Sequence, residues 1–137
     1  YQGKITKRNE VMFDDAGHIY IYFIYGMYHC LNIVTEKKGT GAAVLIREII
    51  PTIGIEQIKK NRPKITNQKN LLNGPSKLMM GLSIPKSLNG TSILSTSCPI
   101  SCKKLNQEKL NYASLPRIGI SKATDQLWRF RLNNDAT

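Results

Sequence analysis

From His18 to Val34 nearly every residue is β-branched, aromatic or otherwise apolar, and the run is interrupted once by glycine, at Gly26. Strands in globular proteins are usually about 5–6 residues long, so a run of this length rich in strand formers has to fold back on itself. Its turn falls at Tyr25-Gly26-Met27, which predicts a β-hairpin with an unusually apolar tip. The apolar core of that run, Ile19 to Met27, is too short to cross a bilayer and carries three tyrosines, so a soluble domain without a membrane partner is expected, with no signal-peptide pattern ahead of it.

The flanking segments extend this hairpin into a meander. Asp14-Asp15-Ala16-Gly17 is a turn signal before it, and Glu36 to Gly41 supplies a turn after it. Ala42 to Ile50 then reads as a nearly continuous apolar strand broken by one charge, Arg47. Pro51 ends that strand, and Thr52 is placed to cap a short helix with Ile55 and Ile58 inward and Glu56, Lys59 and Lys60 outward. Residues 61–73 are polar and rich in Asn and Lys, the composition of a mobile loop. Gly74-Pro75-Ser76-Lys77 opens a second helix that should bury Leu78, Met79 and Leu82. Ser92 to Cys98, Arg117 to Ile120 and Leu127 to Leu132 are further candidate strands. The expected fold is mixed α/β (α+β): a single domain over residues 1–137, built around an antiparallel β-sheet with a protruding hairpin and flanking helices.

Charge narrows the class of partner. Lys and Arg number 20 against 9 Asp and Glu, a formal charge of +11, well beyond what solubility requires. A polyanion, nucleic acid above all, is the leading expectation, with a basic protein from an AT-rich genome as the plain alternative. The three cysteines, Cys30, Cys98 and Cys102, provide neither a disulfide framework nor four zinc ligands, which points to a reducing compartment. His18, His29 and Cys30 are the remaining candidates for a metal, but adjacent strand residues point to opposite faces, so no metal or other cofactor is expected.

Several residues stand out chemically. Tyr20, Tyr22, Tyr25 and Tyr28 lie within nine residues, and Tyr20 and Tyr22 share one face of a strand. They form either a partly exposed ladder of cross-strand pairs or a platform on which bases stack. Tyr25 and Met27 at the hairpin tip either pack onto the 61–73 loop or act as a wedge that opens a base step. Asn32 and Arg47 interrupt apolar strands, as pocket residues or as side chains of a solvated face. Ser76 and Lys77 at a helix start could hold a phosphate, or simply begin the helix well. Leu115 to Ala123 faintly echoes a helix-hairpin-helix motif, but the first hairpin glycine would fall at Arg117, and Leu127 to Leu132 alternates like a strand instead of continuing as a helix.

Three stretches together closely resemble the alkyladenine (3-methyladenine) DNA glycosylase family: Lys7-Arg8-Asn9-Glu10-Val11-Met12-Phe13, Gly17 to Ile33 with Tyr25-Gly26-Met27-Tyr28 at its centre, and Asn73-Gly74-Pro75-Ser76-Lys77-Leu78. The resemblance also takes in Gly41 to Pro51 and Arg117-Ile118-Gly119-Ile120, and weakens only over residues 86–112. It implies one mixed α/β domain around a curved antiparallel sheet, which hydrolyses the N-glycosidic bond of alkylated or deaminated purines of the 3-methyladenine or hypoxanthine type. The partner would be double-stranded DNA containing damaged purines, the enzyme a monomer, and its location the cytoplasm or nucleoid of a bacterium or the nucleus of a eukaryote. By the same resemblance, Tyr25 is the wedge with Met27 beside it, and Tyr22 and Tyr1 stack on the two faces of the flipped base. Asn32 excludes guanine, Arg47 helps hold the attacking water, and Lys7, Arg8, Ser76 and Lys77 contact DNA.

Two departures accompany the resemblance. The family's catalytic glutamate stands two residues before the stacking tyrosine, a position ahead of Tyr1, so 1–137 is expected to lack the N-terminal part with the catalytic acid. A longer family segment with a pocket histidine is replaced here by the direct junction of Gly3 and Lys4. The alternative to a glycosylase is therefore a non-catalytic damaged-DNA or nucleic-acid-binding domain that retains the flipping surface.

Overall fold

A computed structural model describes residues 3–104 and 110–133. The expected Tyr1 stacking residue lies outside them. The chain divides into two compact units, residues 1–102 and 103–137.

The first unit is organised by a three-stranded antiparallel sheet in the order β1-β2-β3, formed by Ile19–Ile24, Tyr28–Val34 and Ala43–Leu45. The hairpin forms where the sequence places it, with Tyr20 opposite Asn32 and Tyr22 opposite Cys30. Alternation then divides the side chains between two faces. Ile19, Ile21 and Leu31 lie on one face and join Ile58, Leu71, Leu72, Leu78 and Met79 in the buried core. Tyr20, Tyr22, Cys30 and Asn32 lie on the other. Two short helices close the core: α1, Ile55–Asn61, which buries Ile58, and α2, Pro75–Gly81, which buries Leu78 and Met79. They pack closely at Gly81, where a Cβ would lie 3.3 Å from the Ile58 side chain of α1 and would overlap that of Leu72 in the core loop.

The mixed α/β expectation holds, while several elements differ from the sequence reading. The expected strand Ala42 to Ile50 is reduced to Ala43–Leu45. Ile46 still donates to the Leu31 carbonyl at 3.0 Å, but the Ile49 amide donates to Leu72 at 3.3 Å, so the chain leaves β2 to meet the core loop. Thr52 does not cap α1. The cap position is Gly54 at φ 74°, and its carbonyl accepts from Gln57 and Ile58. The polar 61–73 stretch is anchored, because its two consecutive leucines, Leu71 and Leu72, are fully buried. Arg62 secures the approach by donating to the Asn70 and Leu71 carbonyls at 3.3 and 2.7 Å. Leu82 is exposed, since α2 ends at Gly81.

Ser92 to Cys98 forms turns with one bridge, His18 to Ser92, instead of a strand. That bridge belongs to a set of contacts along the outer edge of β1. Ile19 donates to Thr91 and accepts from Gly90, both at 2.8 Å, and Ile21 donates to Asn89 Oδ1 at 2.8 Å. An edge strand needs such partners for its outward backbone groups.

The second unit contains a two-stranded antiparallel sheet, β4 (Tyr112–Leu115) with β5 (Arg129–Leu132). β5 lies within the expected Leu127 to Leu132 strand. Tyr112–Leu115 was not anticipated, and Arg117 to Ile120 is not a strand. The Arg117 guanidinium instead donates to the Lys122 and Ala123 carbonyls and lies 5.2 Å from the Trp128 ring centroid.

Candidate functional site

The face of the β1–β2 pair turned away from the core carries Tyr20, Tyr22, Cys30 and Asn32, and Arg47 lies close enough to act on the Cys30 thiol. The register explains this grouping: residues paired across antiparallel strands project to the same side, and their alternate neighbours do likewise. Three of these residues, Tyr20, Cys30 and Asn32, are buried, whereas Tyr22 and Arg47 are half-buried. The Tyr20 and Tyr22 rings have centroids 5.5 Å apart.

Asn32 is a buried polar side chain whose amide is fixed by its surroundings. Its Nδ2 donates to the carbonyl oxygens of Tyr20 at 3.1 Å and Cys30 at 3.3 Å. Carbonyls can only accept, so the amide nitrogen must face them and the remaining end is the acceptor Oδ1. Burial pushes the Tyr22 phenol up to about 12, with its hydrogen bond to Cys30 and the neighbouring Tyr20 adding to the rise, while the positive charge of Arg8 opposes it. Burial raises Cys30 as well, against the Tyr22 hydrogen bond and the Arg47 charge, which lower it. Tyr20 is raised by burial and lowered by Arg8. At neutral pH the face therefore presents uncharged phenols, an uncharged thiol, an amide and one guanidinium.

The hairpin tip lies beyond the paired ends of β1 and β2. Tyr25 is 80% exposed and Met27 66%, which excludes packing of the tip onto residues 61–73. Tyr25 has φ 51° and Gly26 φ 69°, and the Met27 amide donates to Ile24 at 3.3 Å. Positive φ at both central residues is the type I′ pattern, which favours Asn or Asp followed by Gly. Tyrosine in the first of these positions is strained by roughly 1–2 kcal/mol. That strain supports an exposed ring with little packing of its own.

Lys7 and Arg8 occupy a turn just ahead of Asn9. Asn9 Oδ1 accepts from the Thr6 amide at 2.6 Å and the Thr6 hydroxyl at 3.0 Å, while its Nδ2 donates to Lys4. Both cationic side chains are exposed, and Arg8 reaches back to donate to the Phe23 carbonyl at 2.6 Å. Ser76 and Lys77 come from α2, which packs on the opposite face of the sheet. The Lys77 ammonium donates to Asn73 Oδ1 at 2.7 Å, and none of its hydrogen bonds among the described residues reaches Tyr22, Asn32 or Arg47.

The structure thus brings Tyr22, Asn32 and Arg47 together under a hairpin tipped by Tyr25 and Met27, and keeps Ser76 and Lys77 on a separate element. Sequence reasoning missed three contributors: Cys30 as the partner of Tyr22, Asn9 as the organiser of the basic turn, and Asn89 as the support of β1. The Tyr22–Cys30 pairing was available from the hairpin register, but Asn89 depends on a contact between residues 68 positions apart.

Chemically, this face can stack, accept a hydrogen bond and hold a water or anion on its guanidinium. Glu10 and Glu48 are exposed, and neither β1 nor β2 carries a carboxylate. No group of three His, Cys, Asp or Glu among the described residues is arranged to hold a metal ion. No helix among them is long and apolar enough to cross a membrane.

Comparison with known proteins places this geometry in context. The family described as Methylpurine-DNA glycosylase (MPG) matches residues 1–136. A protein of Prosthecochloris aestuarii named "Putative 3-methyladenine DNA glycosylase" is 47% identical over 131 residues, covering 92% of this chain and 60% of that relative. Proteins with the same name from Clostridium perfringens and Francisella tularensis are each 41% identical, covering 98% and 95% of this chain and 71% and 68% of their own lengths. The chain thus spans between three-fifths and three-quarters of these relatives.

Proposed function

Since this chain belongs to the methylpurine-DNA glycosylase family, we propose that it acts in base-excision repair on duplex DNA. It receives an alkylated or deaminated purine, of the 3-methyladenine or hypoxanthine type, flipped out of the stack, and the N-glycosidic bond is hydrolysed to leave an abasic site. The protein acts where DNA is, in the nucleoid or the nucleus. The observation that carries this reading is one sheet face gathering Tyr22, Asn32 and Arg47 below an exposed tyrosine at a hairpin tip.

Each part has a physical task. Flipping breaks stacking and pairing, which costs least at a damaged base. Tyr25, with Met27 beside it, fills the vacated step, and Tyr22 stacks on the extruded base. Asn32 excludes guanine by steric clash with its exocyclic amine, and the amide is held in place for this because it cannot turn over without losing two hydrogen bonds. Arg47 orients the water that attacks C1′. As the C1′–O bond forms, the C1′–N bond breaks with its electron pair leaving on the purine, and the water proton goes to a carboxylate. The resemblance puts that carboxylate ahead of Tyr1. Lys7 and Lys77 with Ser76 balance backbone phosphates, in keeping with the +11 charge.

The test is base release from duplexes containing 3-methyladenine or hypoxanthine, using protein that includes any residues encoded ahead of Tyr1. Abasic sites should accumulate with the lesion strand alone. Tight lesion binding without release would establish the non-catalytic binding domain instead, and neither binding preference nor release would end the reading.

A further inference from the structure

β1 is the outer strand of the sheet, so its outward backbone groups have no neighbouring strand. Between Ile19 and Phe23 four of these groups are satisfied from elsewhere in the chain. Thr91 and Gly90 serve Ile19, the Asn89 side chain serves Ile21, and the Arg8 guanidinium serves Phe23. Arg8 is the last of the series and the one nearest the hairpin tip. We propose that Arg8 is a positioning residue: it clasps the free edge of β1 just below Tyr25 and holds the wedge and the Tyr22 ring in register for base flipping.

The geometry favours a clasp over a freely mobile cation. At 2.6 Å the Arg8–Phe23 contact is a short, charge-assisted hydrogen bond. The turn that carries Arg8 is itself tied down, through the Asn9 amide, to Thr6 and Lys4. The guanidinium charge is also felt by both Tyr20 and Tyr22, which puts one side chain within reach of the wedge strand and the stacking rings together. Tyr25 sits in a strained left-handed conformation with little packing around it, so its position depends on how firmly the two strand ends below it are held. On one side that hold is the β2 ladder. On the other it is Arg8. Lys7, its neighbour in the same exposed turn, makes no such contact among the described residues and remains available for phosphate.

The inference rests on the proposed function for its consequence in DNA, but the clasp can be tested without DNA. Hydrogen exchange should be followed in the unliganded protein for wild type, Arg8→Ala and Arg8→Lys. With Arg8→Ala, the hydrogen-bonded amides at the tip, Ile24, Met27 and Tyr28, should exchange about tenfold faster, while those of α2 are unchanged. Arg8→Lys, which keeps one cationic donor, should recover part of the protection. Unchanged exchange at the tip in Arg8→Ala would overturn the clasp whether or not the protein is a glycosylase. In the DNA arm, Arg8→Ala should lower the preference for lesion over undamaged duplex about tenfold and leave the salt dependence of binding unchanged. A salt slope reduced by about one with lesion preference intact would identify Arg8 as a phosphate contact and overturn the proposal. Wild-type protein without any lesion preference would count against the proposed function, and the exchange result would still decide the clasp.

Discussion

Asn32 stands opposite Tyr20 in the β1–β2 register, and its Nδ2 donates to the Tyr20 carbonyl oxygen at 3.1 Å. A second bond to Cys30, at 3.3 Å, fixes the amide on both sides. Asn32→Asp replaces that donor by a carboxylate facing two carbonyl oxygens in a buried position. The expected cost is about 2–4 kcal/mol at pH 7, against about 1–2 kcal/mol for Asn32→Ala. Urea unfolding of the two variants side by side checks the order, and equal costs would show that the amide orientation matters little.

Tyr25 and Gly26 both have positive φ, and Asn-Gly is the favoured pair for such a turn. Tyr25→Asn should therefore raise stability by up to about 1 kcal/mol while weakening lesion recognition more than binding to undamaged duplex. Thermal melting and paired binding titrations test the two signs separately. Equal losses on both DNAs would remove the wedge role.

The Tyr22 phenol rises from an ordinary 10.0 to about 12 in the folded protein. Between these values the unfolded chain loses its proton before the folded one does. The contribution of Tyr22 to stability is therefore complete below about pH 10 and is lost as the pH climbs toward 12. Melting temperatures measured from pH 8 upward should fall more steeply for wild type than for Tyr22→Phe above pH 10. Parallel curves would mean that the phenol is not held in its neutral form.

Lys77 is tethered to Asn73 at 2.7 Å through one of its three ammonium protons, which leaves donors for a phosphate. Lys77→Ala should weaken binding to all duplexes alike and reduce the slope of log affinity against log salt by about one. Fluorescence titrations at several salt concentrations measure this, and an unaltered slope would separate Lys77 from the DNA surface.

The hairpin was legible because its signal is local. A run of strand formers with one glycine has few ways to fold, and alternation then puts Tyr20 and Tyr22 on one side and Ile19 and Ile21 on the other. The same logic placed α2 at Gly74-Pro75 and β5 near its observed position. The polar 61–73 stretch misled because composition outweighed two adjacent leucines, whose burial depends on helices distant in sequence. The strand after Ala42 ended early for a related reason, since the core loop draws the Ile49 amide away from β2.

By itself, the sequence determined the hairpin, the division of its side chains between two faces, the excess of positive charge and the motifs of the family, all of which follow from short-range periodicity and residue chemistry. Only the tertiary structure decided what supports the hairpin: Asn89 on Ile21, Arg8 on Phe23, and the amide of Asn32 turned so that its oxygen is the free end. Those relations arise where an edge strand's unpaired backbone groups meet side chains from remote turns. Hydrogen-bond satisfaction selects them, and no periodicity in the chain announces it.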